Sequence, residues 1–304
     1  MSSLETPLVE VRGLTKRFPL RDGRKVHAVE EVSLDVRRGE TLAVVGESGC
    51  GKSTLANLII RLLDPDAGLI CLDGADITHL GPRAMRAHRR KMQIIFQDPF
   101  ASLDPRRPVG QAVAEPLIVH GLANKSDQQD MVAGLFERVS LTPTHMDQFP
   151  HQFSGGQRQR ICIARALALK PELVIADEAV SALDVSIQAQ VINLMMDLQA
   201  ELGLSYLFIT HDLAVVERIA HRVAVMYLGQ IVELGTRRHI FENPSHSYTR
   251  RLLDAVPVAD PARRRERPLL TDEIPSPIWA PDESPDIVQL TEIEPGHLVA
   301  KESP

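Results

Sequence analysis

The chain has 304 residues, of which 44% are hydrophobic, and its 34 basic and 40 acidic residues give a net charge of −6. This apolar content excludes wholesale disorder, and the length fits two domains, or one large domain with an appendage. The acidic excess lies at the C-terminus, where residues 272–304 hold eight acids and one lysine. The nearly neutral remainder is a poor match for a dedicated nucleic-acid binder.

Signals for export or for crossing a membrane are missing from the sequence. Three cysteines are too few for a disulfide framework and fit a reducing cytosol. The first residues lack the basic and apolar regions of a secretory signal, and no apolar run approaches the ~20 residues that span a bilayer. We therefore expect any membrane role to act through a partner chain.

Strand and helix patterns alternate along the chain. Residues 8–18 and 29–36 alternate apolar and polar side chains, as half-buried antiparallel strands do. Helical patterns dominate from about 105 to 150. The other predicted strands are 41–45, 69–72, 93–96, 173–176, 206–210, 223–228 and 230–234, and the other predicted helices are 55–63, 157–169, 187–202 and 213–220. This order implies a parallel sheet with helices on its faces, interrupted by a helical insertion.

The last 48 residues, 257–304, hold nine of the 21 prolines and no cysteine. We expect this appendage to be ordered only where Ile278, Trp279 or Leu298–Val299 docks on the body. The arginines at 263–265 are expected to be solvated surface rather than a nucleic-acid patch.

A phosphate-binding loop is predicted at 46–54, because GESGCGKST matches G-x-x-x-x-G-K-[ST] between a strand and a helix. Its backbone N–H groups point at phosphate oxygens, Lys52 reaches the β- and γ-phosphates, and Ser53 offers a hydroxyl to Mg²⁺. Cys50 is either a thiol of lowered pKa beside Lys52 or a small residue that presents its backbone. The loop residues expected to bind nucleotide are Gly46, Glu47, Ser48, Gly49, Cys50, Gly51, Lys52, Ser53 and Thr54.

An acidic pair, Asp177–Glu178, follows the predicted apolar strand at 173–176. Ligands of a parallel sheet lie beyond the carboxyl ends of its strands, so Asp177 is placed to hold Mg²⁺ through water. Glu178 is placed to polarise an attacking water as a general base. The pair alone is a weak motif, but beside a phosphate loop it indicates a nucleotide hydrolase.

A third motif, Ser154-Gly155-Gly156-Gln157, opens a predicted helix. A serine cap and two glycines make a second anion-binding helix N-terminus, beyond what an ordinary cap needs. One ATP cannot easily engage both phosphate-binding motifs if they lie on different lobes. We therefore expect Ser154–Gln157 to contact the ATP of another chain in a head-to-tail dimer.

These motifs resemble those of the ATP-binding cassette (ABC) ATPases, over residues 8 to about 250. The FSGGQ segment at 153–157 separates such proteins from P-loop kinases and GTPases. The resemblance implies that Gln97 contacts Mg²⁺ and senses the γ-phosphate, and that His211 supports the attacking water. It further implies that Asp184 belongs to a loop that communicates across the dimer. Phe18 aligns with the aromatic that stacks on adenine, the alternative being a core phenylalanine.

The implied fold class is α/β, a P-loop NTPase with an antiparallel β subdomain, a RecA-like parallel-sheet core and a helical subdomain at about 100–165. The ATPase domain would occupy residues 1–256, and a partly flexible, proline-rich extension residues 257–304. Catalysis is expected from Lys52, Gln97, Glu178 and His211, and Mg²⁺ binding from Ser53, Gln97 and Asp177.

A narrower resemblance is to the ATPase subunits of oligopeptide, dipeptide and nickel importers, carried by residues 96–106, 176–190, 243–250 and 273–277. Two departures are Ala179 in place of a usual proline and a tail without the cysteine cluster of many members. We expect activity to survive the first and no iron–sulfur or disulfide feature in the tail.

The resemblance implies a subunit that hydrolyses ATP, with Mg²⁺, to energise peptide uptake, or uptake of nickel or another small solute. The implied partners are two transmembrane permease subunits, a second ABC ATPase (a homologue or a copy of itself) and, indirectly, a solute-binding protein. No nucleic acid is expected, and the location would be peripheral, at the cytoplasmic face of the inner membrane. Two less favoured functions are a non-transport ABC ATPase and a regulatory cassette that binds ATP without turnover.

Overall fold

The structure, a computed structural model, describes residues 6–122, 124–255, 277–280 and 283–301. Its strands in chain order are β1 (Val9–Pro19), β2 (Lys25–Val36), β3 (Thr41–Val45), β4 (Ala67–Leu72), β5 (Ala75–Asp76), β6 (Met92–Ile95), β7 (Leu173–Asp177), β8 (Ser205–Ile209), β9 (Arg222–Tyr227), β10 (Gln230–Thr236), β11 (Ile278–Trp279), β12 (Leu290–Glu294) and β13 (His297–Ala300). The helices are α1 (Lys52–Ile59), α2 (Pro82–Lys91), α3 (Val109–His120), α4 (Lys125–Arg138), α5 (Gly155–Leu167), α6 (Val185–Leu202), α7 (Leu213–Ile219), α8 (Arg237–Glu242) and α9 (Ser247–Asp254).

The larger sheet has the strand order β12-β13-β10-β9-β3-β8-β7-β6. Five adjacent strands of this sheet run parallel to one another, namely β9, β3, β8, β7 and β6. Every residue of β3, β7 and β8 is buried, as expected for strands covered on both faces. The predicted parallel core is confirmed, and it brings the carboxyl ends of these strands to one edge.

A second, antiparallel sheet has the order β11-β2-β1-β4-β5. β1 buries Val9 and Val11, and β2 buries Val32, Leu34 and Val36, on alternate residues. The antiparallel pairing of β1 with β2 confirms the predicted antiparallel β subdomain. β2 begins at Lys25, four residues before its predicted start, because it also pairs with Arg17, Phe18 and Pro19.

Between β6 and β7 the chain forms helices α3, α4 and α5, with short 3₁₀ turns before α5. Their shared core includes Val113, Leu117, Phe136, Phe153 and Ile161, all at most 5% exposed. The predicted helical insertion is thus confirmed, and its last helix, α5, packs on β6 and α6 of the parallel core.

The C-terminal segment returns to both sheets. β11 pairs with β2, and β13 pairs with β10, where buried His297 lies 2.8 Å from the Glu233 carboxylate. The docking expected of Ile278, Trp279, Leu298 and Val299 is confirmed. The arginines at 263–265, and most of the stretch expected to be partly flexible, lie outside the described residues.

Helices α8 and α9 and strand β12 were not predicted. α8 has six residues and α9 eight, too few turns to establish a helical period in the sequence. β12 exposes four of its five residues, so it lacks the apolar alternation that marks a strand. Among the helices in the described ranges, none is long and apolar enough to cross a membrane.

Candidate active site

The loop between β3 and α1 is shaped by glycines in tight places. Gly51 has φ +108°, and a Cβ there would lie 1.9 Å from the carbonyl oxygen of Ala28. A Cβ on Gly46 would lie 2.1 Å from the carbonyl oxygen of Met226. Glycine is therefore the residue that fits at these two positions. Its conformational freedom allows the loop backbone to curl, as phosphate binding needs.

Lys52 begins α1 and is buried, with its ammonium inside the loop. Its Nζ donates to the carbonyl oxygens of Gly46 at 2.8 Å and of Glu47 at 2.7 Å. Burial raises the pKa of the Cys50 thiol, and the opposing effect of Lys52 is smaller. The interpretation of Cys50 as a thiol of lowered pKa is wrong, and the small residue that presents its backbone remains.

Ser53 and Asp177 meet across the site. The Ser53 hydroxyl donates to Oδ1 of Asp177 at 2.9 Å, which links the loop to the end of β7. Burial raises the pKa of Asp177 and neighbouring Glu178 adds to the rise, while Ser53 and Lys52 oppose it. The site thus holds a carboxylate whose charge is poorly solvated, which favours pairing with a cation.

Glu178 lies at the centre of three strand ends. Gln97, which follows β6, donates from Nε2 to Oε2 of Glu178 at 2.9 Å. His211, which follows β8, has Nδ1 at 3.2 Å from Oε1 of Glu178. Glu178 has φ +47°, and its backbone N–H donates to Ile209 at 2.9 Å. Four of the predicted catalytic and metal-binding residues, Gln97, Asp177, Glu178 and His211, therefore lie together beside the loop.

The oxygen atoms gathered here suit Mg²⁺. The Ser53 hydroxyl, the Asp177 carboxylate and the Gln97 side-chain amide are hard donors, and Mg²⁺ is usually held by one or two carboxylates together with substrate phosphates. In the described part of the chain, no three His, Cys, Asp or Glu side chains form a separate metal cage. Ser53, Asp177 and Gln97 therefore carry donor types that fit Mg²⁺ held together with substrate phosphates.

The motif at 154–157 caps α5 reciprocally. Ser154 Oγ accepts from the backbone N–H of Gln157 at 3.3 Å, and Gln157 Oε1 accepts from the backbone N–H of Ser154 at 3.0 Å. Among the described residues, no hydrogen bond joins this motif to the phosphate loop or to Asp177 and Glu178. The chain presents two separate groups of predicted site residues.

The loop that leads into α6 lies beside this capped helix. A Cβ on Gly155 would lie 3.5 Å from Cδ2 of Leu183, and a Cβ on Gly156 would lie 2.3 Å from Cγ2 of Ile187. Asp184 caps α6 without a side-chain bond to it, and both Asp184 and Val185 are exposed. The segment that holds Asp184 therefore packs beside Gly155 and Gly156 through Leu183 and Ile187.

Phe18 is half-buried near the end of β1, and the Lys16 ammonium lies 5.7 Å from its ring centroid. It belongs to none of the buried hydrophobic clusters formed by the described residues. This exposure does not fit the alternative of a core phenylalanine.

Tyr248 was missed as a site residue. Its hydroxyl accepts from the backbone N–H of Glu47 at 3.0 Å, its ring lies 4.2 Å from that of Tyr227, and burial raises its pKa. The stretch around Tyr248 stood out in the sequence only as a resemblance to importers. α9 thereby supports the phosphate loop through a contact between residues 201 positions apart in the sequence.

Family models match two parts of the chain. The ABC transporter family matches residues 29–181, and the oligopeptide/dipeptide transporter C-terminal region matches residues 232–282.

Curated relatives match nearly the whole chain. The chain is 57% identical over 301 residues to the glutathione import ATP-binding protein GsiA of Pectobacterium atrosepticum, and 58% identical over 302 residues to GsiA of Escherichia coli K12. Each match covers 97% of this chain and 48% of the relative, so the chain spans about half the length of these proteins.

Solved structures agree in fold. A dimeric ATP-binding cassette in a post-hydrolysis state, bound to ADP and phosphate, superposes with a TM-score of 0.69 at 28% identity over 76% of this chain and 99% of the other. CbiO1 from Clostridium perfringens, part of the ABC transporter complex CbiONQ, gives 0.70 at 28% identity over 79% and 92%. With the family match over half its length and motifs gathered as described, this chain belongs to the ABC transporter family.

Proposed function

We propose that the chain is the ATP-hydrolysing subunit of an importer and energises uptake of oligopeptides or dipeptides. The observation that carries the hydrolytic part is the contact of Glu178 with Gln97 and His211 at the ends of three parallel strands. A carboxylate held between an amide and an imidazole, next to a phosphate loop, is arranged to orient and deprotonate a water.

Each residue around Glu178 has a role in this proposal. Lys52 and the loop N–H groups bind the phosphates, and Ser53, Asp177 and Gln97 would hold Mg²⁺, which neutralises phosphate charge when bound. Glu178 accepts the proton of the water that attacks the γ-phosphorus. His211 keeps the Glu178 carboxylate and the water in position, and Phe18 stacks on the adenine.

The second group of residues completes the site of another chain. Ser154–Gln157 form a capped helix N-terminus that packs beside the segment of exposed Asp184, without a bond to this chain's own loop within the described ranges. A head-to-tail pair would place each N-terminus on the ATP of the other protomer. The second ATPase is a copy of this chain or a homologue.

The transport side of the proposal rests on the comparisons. The matched C-terminal region is that of oligopeptide/dipeptide transporters, and the GsiA relatives are named for import of glutathione, itself a small peptide. We infer two permease subunits in the membrane and a solute-binding protein that contacts them, with this chain at the cytoplasmic face. The ATPase domain would be residues 1–256, with its helical subdomain at about 100–165, and the extension residues 257–304.

Glu178→Gln tests the hydrolytic proposal. An amide cannot accept the proton but preserves the side-chain shape, so phosphate release should fall at least about 100-fold while ATP binding stays within about threefold. Glu217→Gln, an exposed position on α7, is the matched control and should hydrolyse ATP like the wild type. Steady hydrolysis near the wild-type rate in Glu178→Gln would remove Glu178 from its role.

The importer proposal needs its own measurement. Purification of the tagged chain from membranes should recover two permease subunits, and vesicles that contain the complex and internal ATP should accumulate a labelled dipeptide. Accumulation that persists in Glu178→Gln vesicles, or a complex without membrane subunits, would contradict the proposal.

A further inference from the structure

The C-terminal segment contributes a two-residue strand to the sheet that carries Phe18. β11 forms one edge of this sheet and pairs antiparallel with β2, with Ile278 opposite Val26 and Trp279 opposite Lys25. The backbone N–H of His27 donates to the carbonyl oxygen of Pro277 at 3.0 Å. A short piece of the extension is thus fixed on the strand next to β1.

β11 pairs with the part of the β1–β2 hairpin that strand β4 does not reach. On the far side of β1, strand β4 pairs only as far as Thr15, which lies opposite Ala67. Phe18 lies beyond that point, so β1 and β2 continue there as a two-stranded overhang that ends in an exposed turn. An isolated two-stranded hairpin is marginally stable in water. β11 supplies the third strand where the overhang has no other.

Side chains of the three strands line up across this overhang. Val26 pairs with Ile278 on one side and with Phe18 on the other, and directly opposed residues point to the same face of a sheet. Phe18, Val26 and Ile278 therefore form one row, with Phe18 and Val26 half-buried and Ile278 37% exposed. The extension thus continues the apolar row that begins with Phe18.

Trp279 contacts the opposite face of β2. Its ring meets that of buried His27 edge to face, with centroids 6.4 Å apart. His27 Nδ1 lies 2.8 Å from Glu30 Oε2, and the Arg17 guanidinium donates to the same oxygen at 3.0 Å. Arg17 directly precedes Phe18, so this chain of contacts runs from the extension to the backbone that carries Phe18.

We propose that Ile278 and Trp279 are positioning residues for nucleotide binding: docked on β2, they hold the overhang so that Phe18 is ordered before adenine stacks on it. The inference rests on the proposed binding of ATP. A platform that is already ordered costs less entropy when the ligand binds, so docking of the extension raises affinity for the base without acting on the bond that breaks.

Nucleotide affinity of Trp279→Ala, in the full chain, tests this inference. ATP affinity with Mg²⁺ should fall about threefold to tenfold, the size of one aromatic contact. Affinity for inorganic tripolyphosphate, which has no base, should be unchanged, as should the turnover rate at saturating ATP. Trp279→Phe keeps an aromatic ring against His27 and should restore most of the ATP affinity. Ile293→Ala, an exposed apolar position on β12 of the same extension, is the matched control.

Trp279 is the only tryptophan in the chain, so its fluorescence reports on this segment alone. ATP should change the emission of the wild type, and Phe18→Ala should abolish the change. Unchanged ATP affinity in both Trp279→Ala and the double variant Ile278→Ala/Trp279→Ala would overturn the inference, as would equal losses for ATP and tripolyphosphate. A wild-type chain that binds neither would refute the proposed function itself, on which the inference rests.

Discussion

At the scale of single residues, Asp177 is held where its charge is costly. The side chain is 8% exposed at the end of β7, and burial raises its pKa despite the hydrogen bond from Ser53. A raised pKa means that the folded protein favours the protonated form. The stabilisation from that preference is present below the ordinary pKa of about 3.9 and is lost as pH rises through the raised value. Near neutral pH, Asp177 therefore lowers the stability of the nucleotide-free protein.

Asp177→Asn should accordingly melt at a higher temperature than the wild type at pH 7 in the absence of nucleotide. Asparagine keeps the acceptor for Ser53 and removes the buried charge. The difference in melting temperature should shrink as pH falls through the raised pKa. The additional stabilisation that Mg²⁺ and ATP give the wild type should be lost in the variant. Calorimetry between pH 5 and pH 8, with and without Mg²⁺ and ATP, measures both effects.

Asp22→Asn is the control of opposite sign. The hydrogen bond from Arg24 lowers the pKa of this exposed carboxyl, so removal of its charge should not raise the melting temperature at pH 7. An Asp177→Asn variant that melts below the wild type at pH 7 would contradict the account of Asp177 as a destabilising ligand.

Some residues of the site can be predicted from the sequence, and others are recognised only in the folded structure. Lys52, Ser53 and the Asp177–Glu178 pair lie in short motifs whose chemistry follows from local spacing. Tyr248 supports the same loop through one hydroxyl contact with Glu47, made by a helix far along the chain. Because a tyrosine on a short helix has no distinctive spacing, its role follows only from the folded arrangement.

At the scale of elements, two helices begin with the same kind of N-terminal cap but lie in different parts of the chain. Ser154 caps α5 and Thr236 caps α8, each with a reciprocal bond from the third residue of its helix. The N-terminus of α5 lies beside Leu183 and Ile187, which flank Asp184, whereas α8 directly follows β10 and holds no predicted site residue. A comparison of these two caps therefore distinguishes the contribution of a cap to stability from the contribution of the α5 N-terminus to activity.

Ser154→Ala and Thr236→Ala should each cost about 1 kcal/mol of folding stability, the usual loss for removal of a cap. Only Ser154→Ala should also reduce phosphate release, by about tenfold or more, because in the proposed dimer it removes a donor to the partner's nucleotide. Urea unfolding and a phosphate-release assay on both variants measure the two effects. Equal turnover in the two variants would leave Ser154 a helix cap alone.

Elements were predictable where burial leaves a local apolar pattern in the sequence. The strands of the parallel core are continuous apolar runs, and their predicted limits lie within a residue or two of β3, β7 and β8. β11 has two residues and pairs with a strand from the other end of the chain, so no local pattern specifies its partner. Only composition, with Ile278 and Trp279 in a proline-rich polar segment, indicated that something docks there.

At the scale of the whole molecule, the charges of the proposed mechanism lie at the site, whereas the net negative charge comes from the C-terminal residues. The excess of acids lies in residues 272–304, and Glu292 and Glu294 of that segment are exposed on β12. The cationic groups of the proposed mechanism are Lys52 and two helix N-termini, and these N-termini belong to separate parts of the fold. In the proposed dimer, one protomer would therefore supply half of each of two nucleotide sites, as a two-fold symmetric pair with shared sites requires.

Mixing of two impaired variants tests this arrangement. Lys52→Ala disables the phosphate loop of a chain, and Ser154→Ala disables its capped helix N-terminus. In a head-to-tail dimer of one such chain with the other, one site combines two intact halves and the other combines two disabled halves. Random pairing makes half of the dimers mixed, so an equal mixture should recover about a quarter of the wild-type phosphate release.

The matched control mixes Lys52→Ala with Glu178→Gln. These two residues lie in the same half of the site, next to Ser53 and Asp177, so each mixed dimer keeps one disabled half in both of its sites. This mixture should show no recovery. Recovery in neither mixture would mean that the chain does not pair with itself and that the second ATPase is a different protein. Equal recovery in both would contradict a site shared between protomers, because only a head-to-tail arrangement distinguishes Ser154 from Glu178.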